Sequence, residues 1–305
     1  MIIGNLDDLQ TYLNEHLHSG YYILVDENTH NHCLPGLINF VSFPKNPEII
    51  EVPAGEEAKS IEIAQQLWQS LQDLGADRHS AIINLGGGVV CDLGGFIAST
   101  YQRGISYINL PTTVLAMTDA ALGGKTAINL GSAKNQIGTF HEPVMTVLSD
   151  IWLETLPSRE LRSGFAEMLK HGLIAGEPLL SNLFQTDASD AQALFELMRD
   201  SANVKLNIVQ QDPKETNVRK YLNLGHTSGH ALESATMTSE DPLLHGECIA
   251  WGMMIALSLS VQKTGLDQEL AQELIMAIDG YFPDIEPEFS PDDLWKWMLL
   301  DKKNN

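Results

Sequence analysis

The chain has 305 residues, a formal charge of −22, 44% hydrophobic and 19% charged residues. That length allows two domains or one large one, and the composition can bury a substantial core, which excludes a disordered chain. So acidic a protein lacks the basic face that general binding to nucleic-acid phosphates needs, so no nucleic-acid partner is expected. Three cysteines, Cys33, Cys91 and Cys248, have no CxxC spacing and suit a reduced, cytoplasmic location. The N-terminus MIIGNLDDLQ lacks the basic and long apolar regions of a secretory signal.

The first half alternates strand-like and helix-like segments. YYILVDEN (21–28) reads as a strand ending in polar residues, and INFVSFP (38–44) and IIEVP (49–53) as further β-rich pieces. AKSIEIAQQLWQSLQDLG (58–75) has helical periodicity and closes on Gly75. SAIINLGGG (80–88) is a buried strand running into glycines, and ISYINLPTT (105–113) is the next strand. This alternation predicts a mainly parallel sheet covered by helices. From about residue 157 the segments SRELRSGFAEMLKHGLI, ALFELMRDSANVKLNIVQQD and TSGHALESAT all read as helices. The apolar run CIAWGMMIALSLSV (248–261) is too short for a membrane span and reads as a buried helix, so no membrane partner is expected. The boundary is placed at Pro157, giving an α/β domain over 1–156 and an all-α domain over 157–305.

A strand, then Gly86-Gly87-Gly88, then a helix can cradle a pyrophosphate, because glycine lets the backbone approach phosphate oxygens and the helix start offers free N–H groups. Read as GxGxxG, the third glycine is replaced by Cys91; a tight turn explains the run equally well. Asp26 and Asn28 could meet ribose hydroxyls or could form an ordinary polar strand-end turn. GGKTAINLGSAKN (123–135) resembles a P-loop only superficially, because Asp119 stands where GxxxxGK[ST] requires glycine. Lys125 and Lys134 can still bind phosphate by charge; otherwise they are exposed loop lysines.

His226 and His230, four apart, share one helix face. They could form a zinc pair, or one could ligate a metal while the other handles protons; Thr227 excludes the HExxH arrangement. His245 is another ligand candidate. Glu167 and Lys170, three apart, project to similar sides of a helix. Glu, Lys, His and Arg inside otherwise apolar helices are costly without partners, so these places point to one catalytic site.

GGGVVCDLGGFIASTYQRG, INLPTTVLAMTDAALGGKTAINLGSAKNQIGTF, LPSRELRSGFAEMLKHGLI, RKYLNLGHTSGHALE and LLHGE together resemble the 3-dehydroquinate synthase family, in order from about Asp26 to the last residue. The resemblance implies a Rossmann-like NAD-binding domain followed by an all-α metal- and substrate-binding domain. It implies a carbon–oxygen lyase of the shikimate pathway that converts 3-deoxy-D-arabino-heptulosonate 7-phosphate to 3-dehydroquinate and phosphate. The family's route is transient oxidation with NAD, phosphate elimination, re-reduction, ring opening and intramolecular aldol closure. Other sugar-phosphate cyclases of the 2-deoxy-scyllo-inosose or valiolone type, and metal-dependent polyol dehydrogenases, share the scaffold and stay as alternatives. A catalytically inactive NAD-binding regulatory protein is a third.

Residue by residue, the resemblance implies that Glu167, His226 and His245 hold one Zn²⁺ or Co²⁺ and that His230 moves protons beside the substrate. Glu215 matches a proton acceptor. Arg103, Asp119, Lys125, Asn135, Lys170, Lys205, Arg219 and Asn223 match substrate positions, with Lys125 and Lys170 also catalytic. Asp26, Asn28, Glu56, Lys59, Gly87, Gly88, Val89, Asp92, Thr112, Thr113, Lys134 and Thr155 match cofactor positions. A cleft between the domains, ligand-induced closure and a homodimer are implied as well. The chain departs from the family pattern at Cys91 (usually Gly), Gly94 (often Ala), Thr118 (usually Val) and Pro213 (usually acidic). It also stops at Lys302 and Lys303, a lysine pair the family uses near the substrate, where relatives continue for several tens of residues.

Overall fold

A computed structural model describes residues 3–131, 133–237, 239, 241–282 and 290–300. Lys302 and Lys303 lie outside the described residues. The chain divides into two compact units, Met1–Leu156 and Pro157–Asn305.

The first unit carries eight strands: β1 (Ile3–Gly4), β2 (Tyr21–Asp26), β3 (Glu48–Val52), β4 (Ala81–Gly86), β5 (Ser106–Pro111), β6 (Lys125–Leu130), β7 (Ala133–Phe140) and β8 (Met145–Val147). Its helices are α1 (Leu6–Glu15), α2 (Glu27–His32), α3 (Leu34–Phe40), α4 (Ile61–Asp73) and α5 (Gly88–Thr100). Six strands form a parallel sheet in the order β1-β8-β5-β4-β2-β3. Strands β2 and β4 are buried along nearly their whole length, as strands covered on both faces must be. From the adjacent pair β2 and β4 the chain crosses over in opposite directions, β2 toward β3 and β4 toward β5. Their C-terminal ends therefore flank a topological switch point, the place where open α/β sheets bind ligands. Asp26 ends one of these strands and Gly86 the other.

Two local expectations are corrected. Residues 38–44 are not a strand: 38–40 complete α3 and 41–44 are irregular. Leu34, Leu37 and Val41 are buried, a helical spacing that outweighs the β propensity of Ile38, Phe40 and Val41. Lys125 and Lys134 are not loop residues: they sit on the antiparallel hairpin β6–β7, with Lys125 paired to Phe140.

Helix α5 lies tightly on the sheet. A methyl group at Gly94 would come within 1.8 Å of Asn84 Oδ1, and one at Gly95 within 2.5 Å of Thr126 Cγ2. Asn84 is fully buried on β4 and donates its Nδ2 to Asn109 Oδ1 on β5 at 2.8 Å. Asn109 Nδ2 in turn donates to Ala121 O at 3.3 Å, at the end of the π-helical turn Ala116–Ala120 that carries Asp119. The departure to glycine at position 94 is thus explained by Asn84, whose amide fills the space a Cβ would take.

The second unit contains α6 (Ser158–Ala175), α7 (Leu179–Phe184), α8 (Ala191–Gln211), α9 (His226–Thr236), α10 (His245–Lys263), α11 (Gln268–Asp279) and α12 (Pro291–Leu300), and no strand among the described residues. Helix α10 is the expected buried helix over its first turns, where residues 246–250 are all buried. Beyond them burial is confined to one face with Gly252, Met253 and Leu257, while Leu259 is half exposed and Trp251, Met254 and Ile255 are partly so. Among the described residues, no helix is long and apolar enough to cross a membrane.

Gly94→Ala is expected to overpack the contact between α5 and the sheet and cost about 1–3 kcal/mol, read from the urea midpoint. Adding Asn84→Ala should recover part of that loss, giving a non-additive double-mutant cycle. Additive losses would show that the two positions do not share space.

Candidate active site

Glycines decide where the histidines of the second unit stand. Gly225 has φ +78°, a left-handed conformation that glycine adopts without steric cost, and it precedes His226 as the N-cap of α9. Its carbonyl faces Gly252 of α10 so closely that a methyl at Gly252 would fall 1.9 Å from Gly225 O. One turn on, a methyl at Gly229 would fall 3.0 Å from Cys248 O. The two helices can lie at this distance only without side chains there. His226 and His245, each the first residue of its helix, are thereby brought to a ring separation of 5.7 Å.

Glu167, fully buried on α6, meets them. His226 Nε2 lies 3.6 Å and His245 Nε2 3.4 Å from Glu167 Oε1. One ligand atom from each of the three falls within 4.8 Å of the others. His226 Nδ1 faces Leu224 O at 3.1 Å, and His245 Nδ1 faces Glu233 Oε2 at 3.4 Å. Both Nδ1 atoms thus have an oxygen to take their proton, which leaves Nε2 of each ring as the lone-pair donor. Two imidazoles and a carboxylate of this kind fit a borderline-soft divalent ion with open positions, as zinc and cobalt require. With no ion between them, burial would lower the His245 pKa, but hydrogen bonds to Glu167 and Glu233 outweigh it and raise it to about 9; a divalent ion at this place has to displace the Nε2 proton to gain that lone pair. Lys170, also buried, pairs with Glu167 one turn along α6.

The corner that delivers His245 is clamped. Arg159 grips the buried Glu247 with both Nε (2.8 Å to Oε1) and Nη2 (2.9 Å to Oε2), and also reaches Asp241 and Pro242 O. Glu247 Oε2 accepts the Leu244 N–H at 2.8 Å, and Gly246 N–H donates to Ser163 Oγ at 3.1 Å. Helix α6 therefore carries the candidate ligand Glu167 and both ties to the His245 corner. Arg159, Glu233 and the role of Glu247 escape a reading of the sequence; the one signal was that Glu233 and Glu247 stand within three residues of a candidate histidine.

The remaining cations of this unit are buried as well. Arg219 is 1% exposed and Lys205 6%. Burying them is costly without partners, and Arg219 Nη1 donates to Pro213 O at 2.7 Å. The loop holding Arg219 is built on Asp212, whose carboxylate accepts the N–H groups of Thr216 (2.9 Å), Asn217 (2.6 Å) and Arg219 (3.1 Å). Asn223 Nδ2 donates to Glu215 Oε1 at 2.8 Å, so these two predicted residues meet each other. His230 is one turn from His226 with rings 5.2 Å apart. Buried His171, missed as a candidate, ties α6 to α8 through Nδ1 and Ser201 Oγ at 2.8 Å.

In the first unit a second cluster forms around buried Lys59. Its Nζ donates to Asp92 Oδ2 at 2.7 Å and to Asn135 Oδ1, with Glu56 Oε1 at 3.8 Å. Asn129, another residue not singled out from the sequence, organises it. Its Nδ2 donates to Glu56 Oε1 at 2.8 Å and its Oδ1 accepts the Asn135 N–H at 2.8 Å. Residues expected at the cofactor (Glu56, Lys59, Asp92) thus touch one expected at the substrate (Asn135), which takes φ +53°.

The glycine loop fits a pyrophosphate cradle. Gly87 is the N-cap of α5 with no side chain over the helix start, and Gly88 and Val89 open the helix. Cys91 does not intrude, because its buried thiol turns inward toward Gly86 O at 3.6 Å, and burial pushes its pKa up. Buried Thr112 donates its N–H to Gly86 O at 3.0 Å, and Thr113 caps the next turn through Ala116 N. Asp26 caps α2 through Thr29 N (2.7 Å), and Asn28 is exposed on that helix. Asp119 is half-buried, Lys125 exposed and Lys134 half-buried. Arg103 (φ +68°) and Thr155 are exposed on short 3₁₀ turns apart from these clusters.

Two outcomes are expected. Gly252→Ala should push α9 from α10 and weaken zinc binding at least about tenfold, as loss of a supporting contact at a metal site does, measured by competition with a chromophoric chelator. The Asp212 carboxylate is held at about 2, below its usual 3.8: burial opposes this, but the three backbone N–H bonds prevail. A lowered folded-state pKa contributes stability above the unfolded value that is lost as pH falls through the folded one. Between about pH 3.8 and 2, Asp212→Asn should therefore lose less stability than the parent in an acid titration followed by circular dichroism.

Comparison with known proteins places the chain in one family. A family model for the 3-dehydroquinate synthase N-terminal region matches residues 49–163, and one for its C-terminal region matches 164–304. A 3-dehydroquinate synthase from Parabacteroides distasonis is 39% identical over 300 residues, covering 97% of this chain and 85% of that protein. One from Shouchella clausii is 41% identical over 293 residues, covering 94% and 80%. A 2-deoxy-scyllo-inosose synthase solved with carbaglucose-6-phosphate, NAD⁺ and Co²⁺ superposes with a TM-score of 0.87 at 25% identity, covering 99% of this chain and 84% of that one. With both family regions matched in order and more than a third of its residues shared across nearly its whole length, the chain belongs to the 3-dehydroquinate synthase family.

Proposed function

We propose that this protein is a 3-dehydroquinate synthase, a lyase that converts 3-deoxy-D-arabino-heptulosonate 7-phosphate to 3-dehydroquinate and phosphate. The observation that carries the proposal is the buried convergence of Glu167, His226 and His245, with Lys170 paired to Glu167 and His230 alongside. Identity of 39–41% to synthases of this name favours it over the inosose-type cyclase at 25%. It uses NAD and one divalent ion, Zn²⁺ or Co²⁺, the first supplying a reversible hydride acceptor and the second a Lewis acid for substrate hydroxyls.

The chain's own residues bind, orient and move protons. The substrate carries a carboxylate and a phosphate, and Lys125, Lys170, Lys205, Arg219, Arg103 and Asn223 are the groups assigned to them, with Asp119 and Asn135. Arg219 offers a planar fork for an oxyanion, whereas Lys170 and Lys205 offer point charges at fixed, water-poor positions. An ammonium beside Glu167 keeps that carboxylate ionised and ready to ligate. His230 takes and returns a proton at a ring nitrogen, and Glu215, steadied by Asn223, is the second proton acceptor assigned. On the first unit, the helix start at Gly87, Gly88 and Val89 receives the pyrophosphate of NAD. Asp26 and Asn28 face its ribose side of the switch point, and Glu56, Lys59, Asp92, Thr112, Thr113, Lys134 and Thr155 complete the cofactor set. A cytoplasmic homodimer is part of this proposal.

Phosphate release from the heptulosonate 7-phosphate should require NAD, stop on chelation and return with Zn²⁺ or Co²⁺. Glu167→Gln should lose both the ion and activity. His230→Asn should keep the ion yet lose turnover by about 10²–10⁴-fold, the range for a removed acid–base group. A chain that binds NAD and the ion but releases no phosphate would overturn the assignment.

A further inference from the structure

We propose that Glu233 is a positioning residue for His245, holding its ring so that Nε2 faces the metal position. The inference rests on the metal site proposed above and goes beyond the residues assigned to it. His226, His230 and Glu233 fall at i, i+4 and i+7 of α9 and so line one face of that helix. The last of them reaches across to the start of α10, with Glu233 Oε2 3.4 Å from His245 Nδ1. On the opposite side of the same ring, His245 Nε2 is 3.4 Å from Glu167 Oε1. The imidazole is therefore strung between two carboxylates, one at each nitrogen.

The two candidate histidine ligands are supported differently, and the difference has a physical reason. His226 has a side chain 9% exposed, and the Leu224 carbonyl, fixed by the turn two residues back, is enough to hold its Nδ1 proton. The His245 side chain is 27% exposed, so water competes for Nδ1 there. A charged acceptor holds an N–H against water better than a neutral one, and a carboxylate on Nδ1 also makes the ring a more basic ligand. Among the described residues, no backbone oxygen plays for His245 the part that Leu224 O plays for His226.

His230, Glu233 and His245 could also be taken as a second cation site, since one ligand atom from each lies within 4.8 Å of the others. His245 argues against it. A neutral imidazole has one lone pair; once Nε2 gives it to the ion held with Glu167 and His226, Nδ1 carries the proton and has nothing to donate to a second ion.

The test is metal binding by the full-length parent, Glu233→Gln and Glu233→Ala, with Zn²⁺ affinity from chelator competition, stoichiometry from metal analysis and the visible spectrum of the Co²⁺ form. Glutamine keeps the shape and an acceptor oxygen but removes the charge. The parent should bind one ion. Glu233→Gln should bind it about 10-fold more weakly and Glu233→Ala up to about 100-fold, both with an altered Co²⁺ spectrum and the parent's circular dichroism. Equal affinity and an unchanged spectrum in both variants would overturn the proposal. Two ions in the parent and one in Glu233→Ala would overturn it in favour of a ligand role. A parent that binds no ion would instead remove the metal reading on which the proposal stands.

Discussion

The close approach of α9 and α10 is the contact on which the site depends. Gly225, Gly229 and Gly252 remove the side chains that would keep these helices apart, and the N-termini of both helices then meet beside α6. A divalent ion tolerates ligand displacements of only tenths of an ångström. Its ligands must therefore ride on elements whose separation is fixed by backbone contact rather than by adaptable side chains. Helix α6 completes the frame, because it holds Glu167 and, through Arg159 and Ser163, grips the corner that begins α10.

The same economy appears in how the unit handles buried charge. Glu167, Lys170, Lys205, Arg219 and Glu247 are all nearly inaccessible, and desolvating each costs several kcal/mol unless paired. Glu247 is neutralised by Arg159, Glu167 by Lys170, and Asp212 by three backbone N–H groups. Such groups are already oriented and need no reorganisation when a charged ligand arrives. In the first unit Lys59 plays the corresponding part, linking Asp92 to Asn135 while Asn129 braces both flanks of the cluster.

Much of this was legible in the linear pattern. Short continuous apolar runs identified β2, β4 and β5, and period-3.6 hydrophobicity α4 and the helices of the second half, because burial on both faces of a sheet or on one face of a helix imposes those patterns directly. The run Gly86–Gly88 after an apolar strand marked the turn from β4 into α5. The spacing of Glu167 to Lys170 and of His226 to His230 placed each pair on one helix face. Where the pattern misled, local propensity and long-range packing disagreed. Residues 38–44 look β-rich, yet Leu34, Leu37 and Val41 find their burial as a helix and its exit. The run 248–261 is apolar all round, yet past Ala250 burial is confined to one face.

The sequence alone determined which residue types are available, the order of the elements and the family to which the chain belongs, since these follow from local composition and from ordered motifs. Local spacing left open whether His226 pairs with His230 or with His245, and the family resemblance pointed to the second. What the tertiary structure adds is the physical reason: residues 167, 226 and 245 are joined by helix contacts that no local period encodes. The same holds for Glu233 on His245, Arg159 on Glu247 and Asn129 between Glu56 and Asn135. Each is a polar partner chosen by distance across the fold, and distance across the fold is set by packing, which only the folded chain contains.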